Sequence, residues 1–372
     1  MISFNYTINS DILNKISQID EFKGEWKAIK QMEPEVLAHL KKVATIESIG
    51  SSNRIEGNKL SDKEIEKLLS NIQITSFKNR DEEEVGGYAE VSNLIFDDYE
   101  IIPLNENYIK QLHSILLKYS TKDARHKGEY KTISNSVSAF DQDGNEIGVV
   151  FETATPFDTP RLMSELIQWT NHNLENRIIH PIIVIAIFLV HFLAIHPFQD
   201  GNGRLSRLLT NLLLLKSGYH YVMYSSLESI IEENKSSYYL ALRKTQTTIN
   251  TDNPNYDDFI IFFINSLEKQ KLRLEYKINQ LKLRLNSNND TKQQSNNNLK
   301  ASLTININEL PETAISIYKL FEKMDRVTIK YIKNTMTATE SKIKRALALL
   351  QEKKLIKKYG VTNGCWYVKN SV

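Results

Sequence analysis

The sequence predicts a mainly α-helical protein that carries one β-hairpin and a small C-terminal domain with its own charge balance. Apolar residues recur at helical spacing through residues 35–120, and one such stripe consists of Ile65, Leu68, Leu69 and Ile72. Residues 128–157 break this pattern, because β-branched runs there flank Asp143-Gly144-Asn145, the composition of a hairpin turn. We therefore expect a helical core interrupted by one hairpin, called the flap below.

Length and composition are those of an ordinary globular protein with one large and one smaller domain. The chain has 372 residues, of which 41% are hydrophobic and 25% charged. Its single cysteine, Cys365, excludes an internal disulfide and a cysteine metal cluster. The N-terminus lacks the pattern of a secretion signal, and the most apolar stretch, Ile182–Ile195, is shorter than the ~20 residues that span a bilayer. We therefore expect a cytoplasmic protein with no membrane contact.

Two prolines predict where further helices begin, and changes in composition predict the domain boundaries. Pro160 and Pro181 each open a helix, since proline suits the first helical turn, and another helix runs from Arg204 to Lys216. A long amphipathic helix starts at Asp257, and residues 286–302 then offer almost nothing to bury. The predicted domains are an N-terminal helical region at 1–110, a core at 111–265, a long helix with a polar linker at 266–302, and a C-terminal domain at 303–372.

The C-terminal domain resembles a winged helix. Three short helices precede two strands around Asn363-Gly364, and residues 301–372 hold 13 Lys and Arg against 6 Asp and Glu. The rest of the chain is acidic, with 34 Lys and Arg against 39 Asp and Glu. Lys342, Lys344 and Arg345 lie on the third helix, which in a winged helix enters the DNA major groove. DNA binding is one interpretation, and a protein contact or a homodimer is the other.

The stretch HPFQDGNGRLSR, residues 196–207, gathers several chemical groups around one tight loop. The loop joins the end of the apolar helix to the start of the next, whose N-terminal amides can bind phosphate oxygens. Gly201 and Gly203 let the backbone approach an anion without a Cβ in the way, and Asn202 can add an amide donor. Arg204 and Arg207, three residues apart, can reach the outer phosphates.

Two further residues of this stretch supply a metal ligand and a base. Asp200 offers a hard oxygen next to the phosphate cradle, as Mg²⁺ bound to a nucleotide requires. His196 has a ring whose ordinary pKa of ~6.5 suits a general base at neutral pH. The stretch contains neither a Walker loop nor a complete dinucleotide fingerprint. It therefore predicts a different kind of nucleotide site, with a base beside the phosphates.

The stretch resembles the Fic family, whose motif HxFx(D/E)GNGRxxR it matches at His196, Phe198, Asp200, Gly201, Asn202, Gly203, Arg204 and Arg207. The resemblance covers roughly residues 35–265 and implies transfer of AMP from ATP to a Tyr, Thr or Ser hydroxyl of a target protein. It implies that His196 deprotonates the hydroxyl, that Asp200 holds Mg²⁺ and that Arg207 contacts the γ-phosphate. It also implies that the flap aligns the target by strand pairing. The implied ATP-binding residues are Gly201, Asn202, Gly203, Arg204, Leu205, Ser206, Arg207 and Tyr238.

A second motif, SSNRIEGN at residues 51–58, resembles the inhibitory motif (S/T)xxxE(G/N) of the same family. The match lies at Ser52, Glu56 and Gly57, in a predicted helix at about 48–58 on the N-terminal side of the core. The resemblance implies an ion pair between Glu56 and Arg207. Such a pair would occupy the arginine that orients the γ-phosphate and so misplace the α-phosphate for attack.

The sequence therefore favours an autoinhibited protein adenylyltransferase that modifies a target protein and itself. One alternative is removal of AMP from a modified protein, with Glu56 positioning a water. Another is a DNA-binding regulator whose core only senses a nucleotide. An intact His196 argues against pure sensing, because sensing needs no base.

Overall fold

The computed structural model describes residues 6–29, 34–70, 77–140, 146–302, 310–321, 324, 327–353, 355–359 and 366–369. Both turns expected from the sequence, at Asp143-Gly144-Asn145 and Asn363-Gly364, lie outside these residues. The mainly helical fold class is confirmed. The chain divides into two compact units, Met1–Lys282 and Leu283–Val372.

The first unit is a helical assembly into which the flap is inserted. Before the flap come α1 (Ser10–Ile29), α2 (Pro34–Ile55), α3 (Asp62–Ser70), α4 (Arg80–Asp98) and α5 (Glu106–Leu116). After it come α6 (Thr159–Asn176), α7 (Pro181–Ile195), α8 (Asn202–Lys216), a 3₁₀ turn (His220–Tyr224), α9 (Leu227–Glu233), α10 (Lys235–Gln246) and α11 (Asp257–Ser302). Helix α8 begins two residues earlier than the sequence predicts, so it includes Asn202 and Gly203.

Helix α7 lies in the interior of this unit. Every residue from Ile182 to Ile195 except His191 is buried. A helix that is apolar on all sides must be surrounded by other elements, and α7 packs against α6, α8 and α10. None of the helices in the described part of the chain is long and apolar enough to cross a membrane. Because packing fixes α7 on every side, the loop that follows it starts from a rigid point.

Helix α2 carries the second motif at its C-terminal end. It is a 22-residue helix that packs against α4 and α9, rather than the short segment at about 48–58 that the sequence predicts. Gly57 has a φ of 97°, Asn58 N–H donates to Asn53 O and Gly57 N–H donates to Arg54 O. This is a Schellman helix end, which requires a left-handed residue immediately after Glu56. Gly57 therefore ends the helix directly after Glu56, so the Glu56 side chain lies at the helix end.

The flap is an antiparallel hairpin of β1 (Ser136–Phe140) and β2 (Glu146–Glu152). The register pairs Ser136 with Glu152 and Phe140 with Glu146, with two irregularities between them. The sequence prediction of a hairpin at this position is confirmed. Just after β2 the chain contacts the end of α7, since Ala154 N–H donates to Ala194 O at 3.3 Å.

The second unit contains short helices and a small sheet. Its elements are α12 (Glu312–Leu320), β3 (Val327–Thr328), α13 (Ile329–Thr335), α14 (Glu340–Glu352), β4 (Ile356–Tyr359) and β5 (Trp366–Lys369). The strands pair antiparallel in the order β3-β5-β4. A separate hydrophobic cluster, which includes Ile317, Ile332, Ile343 and Leu350, forms its core. The sequence predicted the three helices and two of the strands, but not β3.

The boundary between the units falls inside the long helix α11. The segment 286–302, interpreted from the sequence as a polar linker, continues this helix as far as Ser302. No proline or glycine occurs between Asp257 and Ser302, so nothing in the backbone forces the helix to stop where its side chains become polar. The division at 282/283 nevertheless lies within the long-helix segment proposed as the connection.

Candidate active site

The backbone at His196 turns the chain out of α7 in an unusual conformation. His196 caps the helix with φ 50° and ψ 60°, and its N–H donates to Phe192 O at 2.9 Å. Its Nδ1 lies 3.3 Å from Leu193 O. A carbonyl oxygen can only accept, so Nδ1 carries the hydrogen and Nε2 is left as the acceptor. Burial lowers the pKa of His196 to about 4, so the ring is neutral and able to accept a proton at neutral pH.

Asn202 closes the loop that follows. Its Oδ1 accepts from Phe198 N–H at 2.9 Å, and its Nδ2 donates to Phe198 O at 2.7 Å. The side chain is 1% exposed. From the sequence we expect this amide to serve as a phosphate donor, but the structure uses both its ends inside the loop. Phe198 is completely buried, as expected of a core anchor.

The first turn of α8 forms the proposed anion cradle. Gly201 has a φ of 80°, a conformation that favours glycine, and α8 begins immediately after it. Leu205 N–H already donates to Gly201 O, so the open amides belong to the residues before it. The Leu205 side chain is buried in the core, and Ser206 Oγ donates to Gly203 O at 2.7 Å. Leu205 and Ser206 therefore shape the cradle without pointing a side-chain donor into it.

Glu56 lies against this cradle and pairs with Arg207. Its Oε1 accepts from Arg207 Nη2 at 2.8 Å, and a Cβ placed on Gly203 would collide with the same oxygen. Burial opposes ionisation of Glu56, but the charge of Arg207 and its hydrogen bond outweigh this and lower the pKa of the carboxyl. The arginine is 4% exposed and the glutamate 34%. The carboxylate thus occupies space at the helix N-terminus that a phosphate oxygen would need.

Ser52 holds the other side of the same guanidinium. Arg207 Nε donates to Ser52 Oγ at 2.7 Å, and Nη2 donates to Ser52 O at 2.9 Å. Burial by itself would lower the pKa of Arg207, but the charge of Glu56 raises it above its ordinary value. Ser52, in the last turn of α2, and Glu56, just after the end of the helix, therefore bind one arginine together. Every residue of the second motif has a structural part in this contact, since Gly57 ends the helix.

Arg54 fastens the same end of α2 to two other helices. Its Nε and Nη2 donate to the two carboxylate oxygens of Glu232 at 2.7 and 3.0 Å. Its Nη1 donates to Asp62 Oδ1 at 2.9 Å and to Leu60 O at 3.1 Å. A bidentate arginine pair is directional. It therefore fixes the rotation of α2, and with it the direction in which Glu56 points.

Asp200 is held by two guanidinium groups. Its Oδ2 accepts from Arg80 Nη2 at 2.9 Å, and its Oδ1 accepts from Gly201 N–H at 2.6 Å and from Arg204 Nη2 at 3.3 Å. Burial opposes ionisation of Asp200, but the charges of Arg204 and Arg80 and the Gly201 hydrogen bond lower the pKa of the carboxyl. Arg204 also lies 3.3 Å from Glu84 Oε1 and is 2% exposed.

The residues around Asp200 suit Mg²⁺ only together with a nucleotide. Among the described residues, no group of three or more His, Cys, Asp or Glu side chains could hold a metal ion. Magnesium commonly binds through one or two carboxylates, with phosphates and waters supplying the other oxygens. One ionised carboxylate beside a phosphate cradle fits this donor set. Arg80, whose side chain is 47% exposed, pairs with Asp200 Oδ2, so a metal ion at that oxygen would have to displace it.

His113 is a site residue that sequence reasoning missed. It is completely buried, and its ring stacks on Phe198 at 3.8 Å between centroids. Its Nδ1 accepts from Gly128 N–H at 2.8 Å, so Nε2 carries the hydrogen and donates to Asp200 O at 2.9 Å. Burial lowers the pKa of His113 to about 4, which keeps this tautomer neutral. The ring therefore fixes the backbone between Phe198 and Gly201.

Tyr238 lies beside the site but within an aromatic cluster. It is 5% exposed, and its ring contacts Tyr239, Phe259 and Phe262 at centroid distances of 5.2, 6.1 and 5.7 Å. Burial raises the pKa of Tyr238 to about 12, against the opposing charge of Arg207. A small cavity adjoins Tyr238, Arg207 and these phenylalanines. Contact of Tyr238 with adenine stays a prediction.

Comparison with known proteins finds a similarity to the Fic/DOC family. The Fic/DOC family model matches residues 103–214, which include the flap, α7 and the loop into α8. A relative named protein adenylyltransferase Fic from Drosophila mojavensis is 27% identical over 229 residues, covering 62% of this chain and 42% of that protein. Its namesake from Drosophila melanogaster is 38% identical over 88 residues, covering 24% of this chain and 16% of that protein. The chain thus matches less than half the length of these curated relatives.

Solved structures show the same fold. A Fic domain containing signaling protein from Bacteroides thetaiotaomicron has a TM-score of 0.56 and 28% identity, covering 70% of this chain and 95% of that chain. Fic-1 (aa134–508) from C. elegans has a TM-score of 0.57 at 19% identity, covering 74% of each chain, and shows the fold alone. Residues 103–214 of this chain therefore form a Fic/DOC family domain.

Proposed function

We propose that the protein is an autoinhibited adenylyltransferase, which transfers AMP from ATP to a Tyr, Thr or Ser hydroxyl of a target protein and of itself. The observation that carries this proposal is the Glu56 carboxylate, which lies against Gly203 and pairs with Arg207 at the start of α8. A negative group held at a helix N-terminus marks an anion site. The relatives named protein adenylyltransferase supply the reaction class.

The neutral ring of His196 supplies the base for this reaction. Its unprotonated Nε2 accepts the hydroxyl proton of the target. The hydroxyl oxygen then attacks the α-phosphorus of ATP, the bond to the bridging oxygen breaks, and pyrophosphate leaves. The product is a phosphodiester between AMP and the target. Asp200 would hold Mg²⁺, which neutralises phosphate charge when bound.

The first turn of α8 orients the nucleotide. The amides next to Gly203 and the guanidinium of Arg207 bind and align phosphate oxygens. In-line attack tolerates little misplacement, since a shift of about 1 Å can cost roughly a hundredfold in rate. Glu56 inhibits because its carboxylate fills the space beside Gly203 and forms an ion pair with Arg207, which is then not available to a phosphate.

The proposal is tested by Glu56→Gly. Loss of the carboxylate frees the cradle, so transfer of labelled AMP at saturating ATP and Mg²⁺ should rise by about tenfold or more, equivalent to ~1.4 kcal/mol of barrier. Glu47→Gly is the matched control, because Glu47 lies on the same helix and pairs with Lys277 away from the cradle. The gain should disappear when Arg207→Ala is added. An unchanged or lower rate in folded Glu56→Gly would refute autoinhibition.

Removal of AMP from a modified protein is a second candidate. It draws support from the free oxygen of Glu56: within the described part of the chain, Oε1 takes the Arg207 hydrogen bond and Oε2 takes none. That oxygen could orient a water towards the phosphorus. Incubation of an AMP-modified target with the wild-type protein and with Glu56→Gly separates the two reactions. Loss of AMP release in the variant, without a gain in transfer, would favour removal.

The second unit is proposed to bind DNA as a winged helix. Lys342, Lys344 and Arg345 are exposed on α14, opposite the buried face that includes Ile343 and Leu347. Lys344 Nζ forms an ion pair with Glu340 Oε1 at 2.9 Å. This pair reduces the net positive charge of the exposed face of α14. A protein contact or homodimerisation through the same unit is the competing proposal.

A further inference from the structure

Lys131 is a buried lysine at the base of the flap. It is 3% exposed, and the ammonium donates to Asn135 Oδ1 at 2.8 Å, Thr153 Oγ1 at 2.8 Å and Ile195 O at 3.0 Å. Three oxygen acceptors use all three ammonium hydrogens. A buried cation bound to uncharged acceptors is costly to maintain. The three hydrogen bonds offset part of this cost, so the ammonium is held in one position.

Lys131 is hydrogen-bonded to the chain on both sides of His196. The ammonium binds Ile195 O, and the backbone N–H of Lys131 donates to Pro197 O at 2.8 Å. The two residues that flank His196 are therefore both attached to Lys131. Because His196 has a positive φ, its backbone depends on neighbours to keep that conformation.

The same ammonium also joins the two ends of the flap. Asn135 immediately precedes β1 and Thr153 immediately follows β2. Thr153 Oγ1 lies 2.6 Å from Asn135 Oδ1, and Asn135 Nδ2 donates to Phe198 O at 2.9 Å. The base of the flap and the loop around His196 thus form one hydrogen-bonded assembly centred on Lys131.

We propose that Lys131 is a positioning residue that holds the flap and His196 in register, so that a target hydroxyl aligned by the flap meets Nε2 of the base. This inference rests on the proposed function, in which the flap receives the target and His196 accepts its proton. Lys131 does not contact the first turn of α8 through any of these bonds. It should therefore affect the target and the base, and leave ATP binding unchanged.

The positive charge of Lys131 also affects the pKa of His196. Lys131 disfavours a second positive charge nearby, whereas the facing carboxylates Glu56 and Asp200 favour it. Burial lowers the pKa of Lys131 itself to about 8. Removal of the ammonium should therefore raise the pKa of His196, a change that a purely structural lysine elsewhere would not produce.

The central variant is Lys131→Met, measured in the Glu56→Gly background so that transfer is fast enough to follow. We expect kcat/KM for the target to fall by about tenfold or more, with the affinity for ATP within about twofold, since each tenfold is ~1.4 kcal/mol of lost transition-state binding. Lys131→Arg should recover part of the loss because it keeps a buried cation with several donors. Lys216→Met is the matched control: its ammonium also donates to three uncharged oxygens, in this case the backbone carbonyls of Tyr99, Glu100 and Ile102, at the C-terminal end of α8.

A second variant tests the assembly without removing the buried charge. Thr153→Val deletes the hydroxyl that joins Lys131 to Asn135. It should raise KM for the target, and its effect should be less than additive with Lys131→Met, because both changes break the same unit. Full additivity, or a loss of ATP affinity equal to the loss of transfer, would overturn the proposed positioning role. If Lys131→Met does not fold, the rise in KM of Thr153→Val alone tests that role, and an unchanged KM contradicts it.

A titration of His196 separates failure of this inference from failure of the proposed function. The ¹³C-histidine signal of His196, assigned with His196→Gln, is followed against pH in the full chain without substrate. We expect Lys131→Met to raise the titration midpoint and Lys216→Met to leave it in place. If Glu56→Gly transfers no AMP but the midpoint moves, the proposed function fails and the link between Lys131 and His196 stands. An unmoved midpoint would contradict that link whatever the activity.

Discussion

The proposed role of His196 as a base depends as much on its backbone conformation as on its ring. Its position at the end of a helix buried on all sides, its left-handed conformation and the Nδ1 contact with Leu193 O together direct Nε2 away from the helix. None of these contacts involves the phosphate cradle. The proposed base, His196, and the proposed phosphate site at the first turn of α8 are thus held by different contacts, although one short loop joins them.

His196→Ala should abolish AMP transfer and leave ATP binding nearly intact. In the proposed mechanism the imidazole accepts the proton, whereas the α8 amides and Arg207 bind the phosphates. Loss of a general base costs roughly a hundredfold to ten-thousandfold in rate. Binding of ATP by calorimetry and transfer of labelled AMP should be measured on the same preparation in the Glu56→Gly background. Transfer at the parental rate would show that the base has been assigned incorrectly.

His191 provides a pH-dependent contribution to stability away from the site. It lies 2.8 Å from the Tyr256 hydroxyl, and burial lowers its pKa to about 4. The folded pKa lies below the unfolded value of ~6.5. The unfolded chain therefore binds a proton that the folded chain does not, and this contribution to stability is lost as the pH falls from ~6.5 towards ~4.

His191→Gln should therefore reduce the loss of Tm between pH 7 and pH 5. Glutamine can still hydrogen-bond to Tyr256 but does not titrate. Thermal unfolding at several pH values, with His39→Gln as the control because His39 is an exposed histidine on α2, measures the difference. Parallel pH profiles for the wild type and His191→Gln would show that this ring does not govern the effect.

At the scale of elements, the proposed inhibition depends on the orientation of α2. Ser52 and Glu56 face Arg207, while Arg54 faces Glu232 on α9 and Asp62 on α3. The Schellman end at Gly57 sets where the helix stops. Contacts with three other helices, α3, α8 and α9, therefore place the Glu56 carboxylate.

Glu232→Gln should raise AMP transfer, by less than Glu56→Gly does. It weakens the pair that fixes α2 but leaves the carboxylate of Glu56 in place, and a partly exposed pair contributes about 0.2 to 1 kcal/mol, or up to roughly fivefold. Glu233→Gln is the matched control, because this neighbouring residue pairs with Arg273 instead. Equal rates in the two variants would show that Arg54 does not hold the inhibited state.

At the scale of the whole molecule, each unit has its own hydrophobic core. Residues of α11 such as Leu274 and Ile278 are buried in the core of the first unit. A chain cut within this helix before residue 282 would therefore lose part of that core, whereas a cut after Ser302 would not. This makes Ser302 the better point at which to separate the two proposed activities.

A chain ending at Ser302 should keep its fold and, with Glu56→Gly, its transfer activity. The residues proposed for catalysis and ATP binding, from His196 to Tyr238, all lie in the first unit. Circular dichroism and self-modification with labelled ATP measure the two properties. A folded but inactive shortened chain would show that the second unit contributes to catalysis.

Residues 303–372 should bind duplex DNA with an affinity that falls steeply as salt rises. Each phosphate contact contributes a slope of about −0.9 in a plot of log K against log salt. Changing Lys342, Lys344 and Arg345 together to glutamine should reduce this slope, whereas Lys319→Gln on α12 serves as the control. Absence of binding at low salt would favour a protein contact for this unit.

The sequence by itself determined the helical class, the flap and the motif from His196 to Arg207. These features are local: apolar spacing, turn composition and glycine positions act between residues that are neighbours along the chain. Ser52, Glu56 and Gly57 were also recognisable, although only through resemblance, because their partner Arg207 lies 151 residues beyond Glu56. Local patterns could not have joined those two residues.

Only the tertiary structure decided what the polar groups of the site touch. Asn202 carries the spacing of a phosphate donor but is used to close its own loop. Lys131 and His113 have no pattern around them, and their contacts with Ile195 and Asp200 cross 64 and 87 residues of chain. The physical reason is that a buried polar group must find its hydrogen-bond partners wherever packing brings them. Chain spacing does not record which helices come together, and that packing made one lysine the link between the flap and the base.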